Sequence, residues 1–335
     1  MKPESLLKKG QPNVDFTGIA TIKVDGAPAA VAVRAGKALP LARVGLANDA
    51  LQLVEAWEET CAAIAGLGDD AWAQAVPFDI ADALVPYVPR QVFCTGANYR
   101  KHVIGLMMGD PSMRTADMEG KSPEELRAHA ERVMDEKAKT STPFCFIKLP
   151  SAVIGPNDTV VLPRQVEKPD WELELGVVIG KRCRHVSPEQ AMDHVAAYAV
   201  VNDVTARELI FRKDGSAVGP DWLAGKSFPT FLPFGPLLVP RQNVADPYAL
   251  NIRLSVNGKV YQDESTSDMM IGIERQIAFL SSIVELQPGD LICTGSPYGN
   301  GSAFGVYLQD GDVMEGEITG LGQQRNPCVK EGVAG

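Results

Sequence analysis

The sequence predicts an α+β, β-rich fold with a small N-terminal α+β domain. Three observations carry that reading. From about residue 90 onward, short runs of branched and apolar residues recur between Gly, Pro, Asn and Asp positions, with few helical stretches among them. Ahead of residue 85, strand-like runs are followed by an amphipathic helix. Between the two lies Val85-Pro86-Tyr87-Val88-Pro89, a proline-rich connection. The boundaries are therefore 1–85 for the small domain and 86–335 for the larger one, which carries the chemistry.

Taken in order, Thr17–Val24 and Ala30–Val33 read as strands. Asp25-Gly26 marks a hairpin between them, with a loop longer than two residues. A helix is expected from Asp49 to Ala65, with Leu51, Val54, Trp57, Cys61 and Ile64 on one face and Gly66 as its stop. Nothing before residue 85 suggests chemistry. Gln91–Thr95 reads as a strand leading into Gly96-Ala97-Asn98-Tyr99, and His102 lies just beyond. Ser122-Pro123-Glu124-Glu125 is a capping box with proline at the first helical position, so a helix should run over 123–139. Its apolar stripe is Leu126, Ala130, Val133 and Met134. It is either a solvated surface helix or part of a lid that carries Asp110, Asp117 or Glu119 inward. Phe144–Lys148 is a strand. Ser187-Pro188-Glu189-Gln190 caps a short helix, and Asn257-Gly258 turns a hairpin. Residues 271–286 should be helical, Leu291–Cys293 a strand, and Gly311–Ile318 a closing hairpin strand.

Composition excludes several classes. A hydrophobic content of 45% over 335 residues supports a real core, and no stretch of about 18 apolar residues suggests a membrane span. The start, Met1-Lys2-Pro3-Glu4-Ser5, has no apolar signal core, so a cytoplasmic location is expected. A formal charge of −10 argues against a nucleic-acid partner, which needs a basic surface. The six cysteines are scattered singly, so reduced buried thiols are expected rather than disulfides or a thiolate metal site.

The chemistry gathers around Pro169–Gly180. On one continuous strand, Glu172 and Glu174 project to the same side, about 7 Å apart, with Trp171, Leu173 and Leu175 opposite. Asp203 ends the strand-like run Ala196–Val201. Three carboxylates without Cys or His form a hard, all-oxygen donor set that suits Mg²⁺, Mn²⁺ or Ca²⁺ rather than zinc. The plainer reading is an acidic strand face in solvent, paired with Lys or Arg.

The order of motifs decides between these readings. Gly96-Ala97-Asn98-Tyr99-Arg100-Lys101-His102 comes first, then Phe146-Ile147-Lys148-Leu149-Pro150-Ser151. Glu172-Leu173-Glu174, Asn202-Asp203-Val204-Thr205-Ala206-Arg207 and Gly225-Lys226-Ser227-Phe228 with Gly235-Pro236 follow, and Gly289–Pro297 comes last. Over roughly residues 88–330 this series resembles the fumarylacetoacetate hydrolase family. The resemblance implies a mixed β-sandwich roll and a homodimer. It implies metal ligands at Glu172, Glu174 and Asp203, a general base at His102, and a charge-stabilising lysine at Lys226. It also implies substrate contacts at Tyr99, Lys148, Arg207, Ile210, Thr294, Gly295 and Ser296, with Lys148 fixing either substrate or a metal-bound carboxylate.

The implied activity is metal-dependent hydrolysis of a C–C bond in an acylpyruvate or β-diketone-type 2-oxo acid, in aromatic or other carbon-compound catabolism. The same site would also serve decarboxylation or isomerisation of a 2-hydroxydienoate, or dehydration of a 2-oxo sugar acid. A small-molecule-binding protein without turnover is the reading of another class. Two positions depart from the family pattern. Gly105 stands where many relatives carry a Glu three residues after the His, and Ile210 stands where they carry Gln. Ile210 predicts an apolar substrate tail, with Arg212 or Lys213 as the alternative if the tail is a carboxylate.

Overall fold

The computed structural model describes residues 16–109, 118, 120–211 and 219–332. Its centre is a six-stranded sheet in the order β14 (Val239–Pro240), β11 (Val195–Asn202), β10 (Leu173–Ile179), β17 (Leu291–Cys293), β5 (Val92–Gly96) and β6 (Phe144–Lys148). All neighbours are antiparallel except β17 and β5. A five-stranded sheet runs β16 (Lys259–Ser265), β15 (Asn251–Val256), β18 (Val313–Ile318), β19 (Gly322–Lys330) and β8 (Val160–Leu162). The N-terminal sheet is β1 (Gly18–Val24), β2 (Ala27–Arg34), β3 (Lys37–Pro40) and β4 (Val76–Pro77). Two small pairs complete the set: β9 (Pro169–Asp170) with β12 (Thr205–Ala206), and β7 (Val153–Ile154) with β13 (Leu232–Pro233).

Alternation along β10 explains why its strand reads as a nearly unbroken apolar run. Leu173, Leu175 and Val177 face one hydrophobic cluster, which also holds Ile252 and Leu254 of β15 and Met314 and Ile318 of β18. Val178 faces the other way, into a cluster with Ile19, Leu39, Leu53 and Trp57 from the N-terminal region. A strand buried on both faces carries apolar residues at every position that chemistry does not claim. The N-terminal region is tied to the central sheet by backbone bonds from Ile19 N to Leu238 O (3.0 Å) and from Leu238 N to Ile19 O (2.8 Å).

The helices are α1 (Ala50–Glu55), α2 (Trp57–Ala65), α3 (Asp69–Trp72), α4 (Arg100–Gly109), α5 (Pro123–Thr140), α6 (Pro188–Ala191), α7 (Arg207–Ile210), α8 (Trp222–Lys226) and α9 (Ile273–Ile283). The Ser122–Glu125 capping box and Pro123 start α5 as expected. Leu126, Ala130 and Met134 on α5 pack with Val103, Ile104 and Met107 of α4 in a separate cluster. The helix is therefore one half of a two-helix cap, not a solvated rod. Asn257 and Gly258, both at positive φ, turn the β15–β16 hairpin.

Three expectations are corrected. The Asp25–Gly26 loop is a two-residue turn, because Val24 pairs with Ala27 and both turn residues have positive φ (52° and 83°). The helix over 49–65 is broken at Ala56 (φ −120°, ψ 44°), although Asp49 caps its start through Gln52 N. The stretch 169–180 is two strands, not one: β9 ends at Asp170 and β10 begins at Leu173, so Glu172 lies in the break. There the Glu172 amide donates to the Asn202 side chain (2.9 Å) instead of to a ladder carbonyl.

Gly180 closes β10 against β11: a Cβ there would lie 2.6 Å from Ala196 Cβ and 3.1 Å from Ala196 Cα. Backbone on both sides cannot yield, so Gly180→Ala is expected to cost about 1–3 kcal/mol by overpacking, read as a lower urea midpoint at unchanged m. An unchanged midpoint would mean that the two strands can part without cost.

Candidate metal centre and active site

The ladder between β10 and β11 brings the carboxylates together. Leu173 pairs with Asn202, and one step further the Asp203 amide donates to Glu172 O (2.9 Å). Glu172 and Asp203 thus face each other across the strand ends, with Glu174 two residues along. One carboxylate oxygen from each lies within 4.8 Å of the others, and all three residues are buried. Glu174 Oε2 accepts the Gly295 amide (2.8 Å). Gly295 has φ 103°, and a Cβ there would lie 2.8 Å from Asn98 Cβ, so this close amide–carboxylate contact requires glycine.

Three cations stand behind the triad. Lys148 Nζ donates to Val204 O (2.9 Å) and Phe231 O (2.6 Å) and lies 2.6 Å from Asp203 Oδ1. Lys226 Nζ reaches Asp203 Oδ2 (2.5 Å) and approaches Glu172 Oε1 (3.4 Å). Arg207 spans Glu172 Oε1 (2.6 Å) and Asp170 Oδ2 (2.8 Å). Burial alone would raise the pKa of Glu172. Arg207, Lys226, His102 and the Thr205 hydroxyl outweigh burial and bring it down to about 2. Burial opposes the charge of Lys226, but Asp203 and Glu172 more than offset it and raise its pKa.

Glu174 behaves differently. Burial, then the negative charge of Asp203, pushes its carboxyl well above the usual range. Asp203 Oδ1 meets Lys148 only as an ion pair, without hydrogen-bond alignment, and is otherwise an orphaned buried acceptor. Converging carboxylate oxygens on buried acids, one of them pushed toward protonation, are what a hard divalent cation would satisfy. The all-oxygen donor set fits Mg²⁺, Mn²⁺ or Ca²⁺.

His102 sits on the first turn of α4, buried beside this group. Asn98 fixes the approach to the helix: its amide donates to Ile271 O (3.1 Å) and Thr294 O (2.8 Å) and accepts from Ile271 N (2.9 Å). Burial lowers the His102 pKa to about 4, with Arg207 and Lys226 adding to the effect and Glu172 opposing it. The imidazole is therefore neutral near pH 7 and able to accept a proton. Among the described residues, no carboxylate hydrogen-bonds to it.

The remaining expected residues sort by position. Lys148 is buried and pairs with Asp203 (2.6 Å). Tyr99 is fully buried, and burial together with the charge of Glu174 raises its phenol pKa. Thr294 Oγ1 donates to Leu175 O (2.9 Å), and Ser296 Oγ accepts from Gln262 Nε2 (3.0 Å). The Gly295 amide faces Glu174 in the structure. Ile210 is buried under α8, where its Cγ1 would lie 2.5 Å from a Cβ on Gly225. Asp110, Asp117, Glu119, Arg212 and Lys213 lie outside the described residues.

Sequence reasoning passed over Asp170, Thr205 and Gln262. Asp170 accepts from Arg207, from Gly301 N (2.6 Å) and from Ser302 N (3.1 Å), and so joins the ligand strand to the 299–302 loop. Its position two residues before Glu172 was the only available clue. Its partners lie 37 and 131 residues away.

Residues 91–329 match the sequence family described as Fumarylacetoacetate (FAA) hydrolase C-terminal. The chain is 45% identical over 189 residues to the human protein named oxaloacetate tautomerase FAHD2B, mitochondrial, covering 56% of this chain and 59% of that protein. It is 42% identical over 189 residues to the Xenopus laevis oxaloacetate tautomerase fahd2, mitochondrial, covering 56% and 58%. The chain thus spans about three-fifths of the length of these curated relatives. The fumarylacetoacetate hydrolase of the psychrophile Exiguobacterium antarcticum superposes with a TM-score of 0.71 at 28% identity, covering 94% of this chain and 99% of that one. A probable 2-hydroxyhepta-2,4-diene-1,7-dioate isomerase from Mycobacterium abscessus gives 0.70 at 28% identity, with the same coverage. No helix among the described residues is long and apolar enough to cross a membrane.

Two outcomes follow from this geometry. Glu172→Gln and Asp203→Asn keep side-chain shape but remove a charge, so Mn²⁺ affinity read by electron paramagnetic resonance should fall by more than about 100-fold, beyond the loss typical of an outer partner. Circular dichroism should show both variants folded, and full affinity in either would place the metal elsewhere. The second outcome concerns acid. The folded pKa of His102, about 4, lies below the ordinary 6.5, so the unfolded chain takes up this proton first. Its contribution to stability is present above pH 6.5 and is lost as pH falls toward 4, on the order of 3 kcal/mol in all. The metal-free His102→Gln protein should therefore lose less stability between pH 7 and 4.5 than the wild type. Parallel pH profiles would show that His102 titrates normally.

Proposed function

The chain belongs to the fumarylacetoacetate hydrolase family, and from that premise we propose that it is a divalent-metal-dependent tautomerase of small 2-oxo carboxylates of the oxaloacetate class. The observation that carries this reading is His102: a buried, neutral base beside Glu172 and Lys226. Gly105, one turn along α4, supplies no carboxylate to orient the imidazole toward a water. A neutral imidazole next to a cationic lysine is suited to moving a proton to and from carbon while the lysine meets the charge that develops. The proposal therefore takes the isomerising branch of the sequence reading over C–C hydrolysis. The names of the two curated relatives agree with it.

Glu172, Glu174 and Asp203 would hold Mg²⁺ or Mn²⁺, and such an ion supplies Lewis-acid polarisation of the 2-oxo group and charge to hold the neighbouring carboxylate. His102 takes a proton from the carbon next to the oxo group. That C–H bond breaks, an N–H bond forms, and the electron pair moves into a C=C bond as the carbonyl oxygen gains negative charge. The Lys226 ammonium, oriented by Asp203 (2.5 Å), steadies that charge by a charge-assisted hydrogen bond. Returning the proton to oxygen completes the enol, and the reverse sequence gives the ketone. Lys148 pairs with Asp203, and Arg207 pairs with Glu172 and holds it ionised throughout.

We place a second copy of the chain on the edge of the central sheet. Phe144 on β6 and Leu223 on α8 are 50% and 64% exposed there, and Ile147, on the opposite face of the same edge strand, is 60% exposed.

The test follows the ultraviolet absorbance of enol-oxaloacetate at neutral pH with purified protein and Mg²⁺. Enol decay should accelerate above the buffer rate, and chelation should abolish the acceleration. His102→Asn and Lys226→Met should each lower kcat/KM by about 100-fold or more, within the range for loss of a positioned acid–base or oxyanion group. Pyruvate release from acylpyruvates without enol–keto acceleration would sink the tautomerase reading in favour of hydrolysis.

A further inference from the structure

α4 carries His102 and, three residues later on the same side of the helix, Gly105. A Cβ on Gly105 would lie 2.8 Å from Cε2 and 3.0 Å from Cδ2 of Tyr298. The Tyr298 ring therefore rests on the bare backbone of α4, one turn from the base. Only glycine permits that approach.

Tyr298 stands on a loop with little freedom of its own. Trp171 Nε1 donates to Gly299 O (2.9 Å), and Ser296 Oγ donates to Asn300 Oδ1 (3.2 Å). Gly299, at φ 120°, passes so close to the next strand that a Cβ would lie 2.2 Å from Tyr261 O. Asp170 accepts the Gly301 and Ser302 amides, and its other partner is Arg207, which pairs with Glu172. A line of aromatic contacts runs in parallel: Trp171 to Tyr261 (4.8 Å between centroids), Tyr261 to Phe304 (5.4 Å), and Phe304 to Tyr298 (6.0 Å). Both routes begin beside Glu172 and end on α4 beside His102.

We infer that Tyr298, seated on Gly105, is a positioning residue that sets the distance between the His102 base and the carboxylate triad. The inference rests on the proton-transfer role proposed above for His102. Among the described residues, α4 packs on α5, Met118 and Met270 and is bonded near its start, including Lys101 N to Asp268 Oδ2 (2.8 Å). Without the ring the helix can settle or tilt, and a misplacement of about 1 Å at a reacting group costs on the order of 100-fold. The contact is made by the face and edge of the ring, so the hydroxyl is not required.

The experiment compares Tyr298→Ala, Tyr298→Phe, Gly105→Ala and the double variant Gly105→Ala/Tyr298→Ala in the Mg²⁺-loaded protein. Two readouts are taken: enol-oxaloacetate kinetics, and amide hydrogen exchange over residues 100–109. Tyr298→Ala and Gly105→Ala should each lower kcat by about 10- to 100-fold with KM changed less than about threefold, the split expected when a base is displaced but binding is kept. Both should also speed exchange across α4. Tyr298→Phe should match the wild type in both readouts. The double variant should be no worse than Tyr298→Ala, because the added methyl then has nothing to strike. A wild-type kcat in Tyr298→Ala overturns the inference, whatever exchange does. So does damage in Tyr298→Phe equal to that in Tyr298→Ala, which would give the role to the hydroxyl. If the wild type itself shows no turnover, the tautomerase reading fails and exchange alone decides: faster exchange in Tyr298→Ala supports the docking of α4, and unchanged exchange overturns it.

Discussion

The structure depends on the pairing of three carboxylates with three cations in a space that excludes water. Glu174, Asp203, Lys148 and Lys226 are each 2% exposed or less. A single buried ion costs several kcal/mol unless its charge is met at close range. Each member of this group is therefore held by elements far apart in the chain: β6 supplies Lys148, α8 Lys226, α7 Arg207, and the β10–β11 ladder the acids. Even so the pairing is incomplete. Lys226 and Lys148 both crowd Asp203, while Glu174 has a single backbone donor and a carboxyl pushed toward protonation. The imbalance lies on the side where the three acid oxygens converge, which is the physical ground for reading the cluster as an ion site rather than as a structural salt-bridge network.

The rest of the fold can be understood as support for that arrangement. β10 is buried on both faces, so the strand that presents Glu174 cannot shift register without moving Leu173, Leu175 and Val177 out of their cluster. The break before β10 frees Glu172 to turn toward Arg207 and Lys226, and Asn202 satisfies the amide that the break exposes. The cap of α4 and α5 differs in kind. It has its own small cluster, rich in methionine, and it is joined to the main body by Met270 and the Tyr298 ring as well as by polar contacts. Examples are Arg100 to Asp135 (2.7 Å) within the cap and Lys101 to Glu264 (2.5 Å) across to β16. His102 on that element can shift with its contacts while Glu172, Glu174 and Asp203 stay held at the β10–β11 ladder.

The acids were legible because their residue types are improbable where they stand, and the histidine and the lysine only through the resemblance that the order of motifs carries. Glu172 and Glu174 interrupt an apolar run, and Asp203 ends one. The capping box of α5 and the Asn257-Gly258 turn were legible because local hydrogen bonding decides them. The break at Ala56, the split at Glu172 and the packing role of Ile210 were not. In the last two, residues distant in sequence take part: the Asn202 side chain at Glu172, and the backbone of α8 at Ile210.

By itself, then, the sequence determined the β-rich class and the placing of Glu172, Glu174 and Asp203 along apolar runs, because composition and spacing are local properties of the chain, and its order of motifs pointed to His102 and Lys226. Tertiary structure alone decided which partner each charge received. Asp170 could be seen as an acid but not as the joint between Arg207 and the 299–302 loop, since its partners lie 37 and 131 residues away. Gly105 could be seen as a missing acid but not as the seat of Tyr298. Charge pairing and close packing act through space, over a few ångströms, and the order of residues along the chain does not contain those distances.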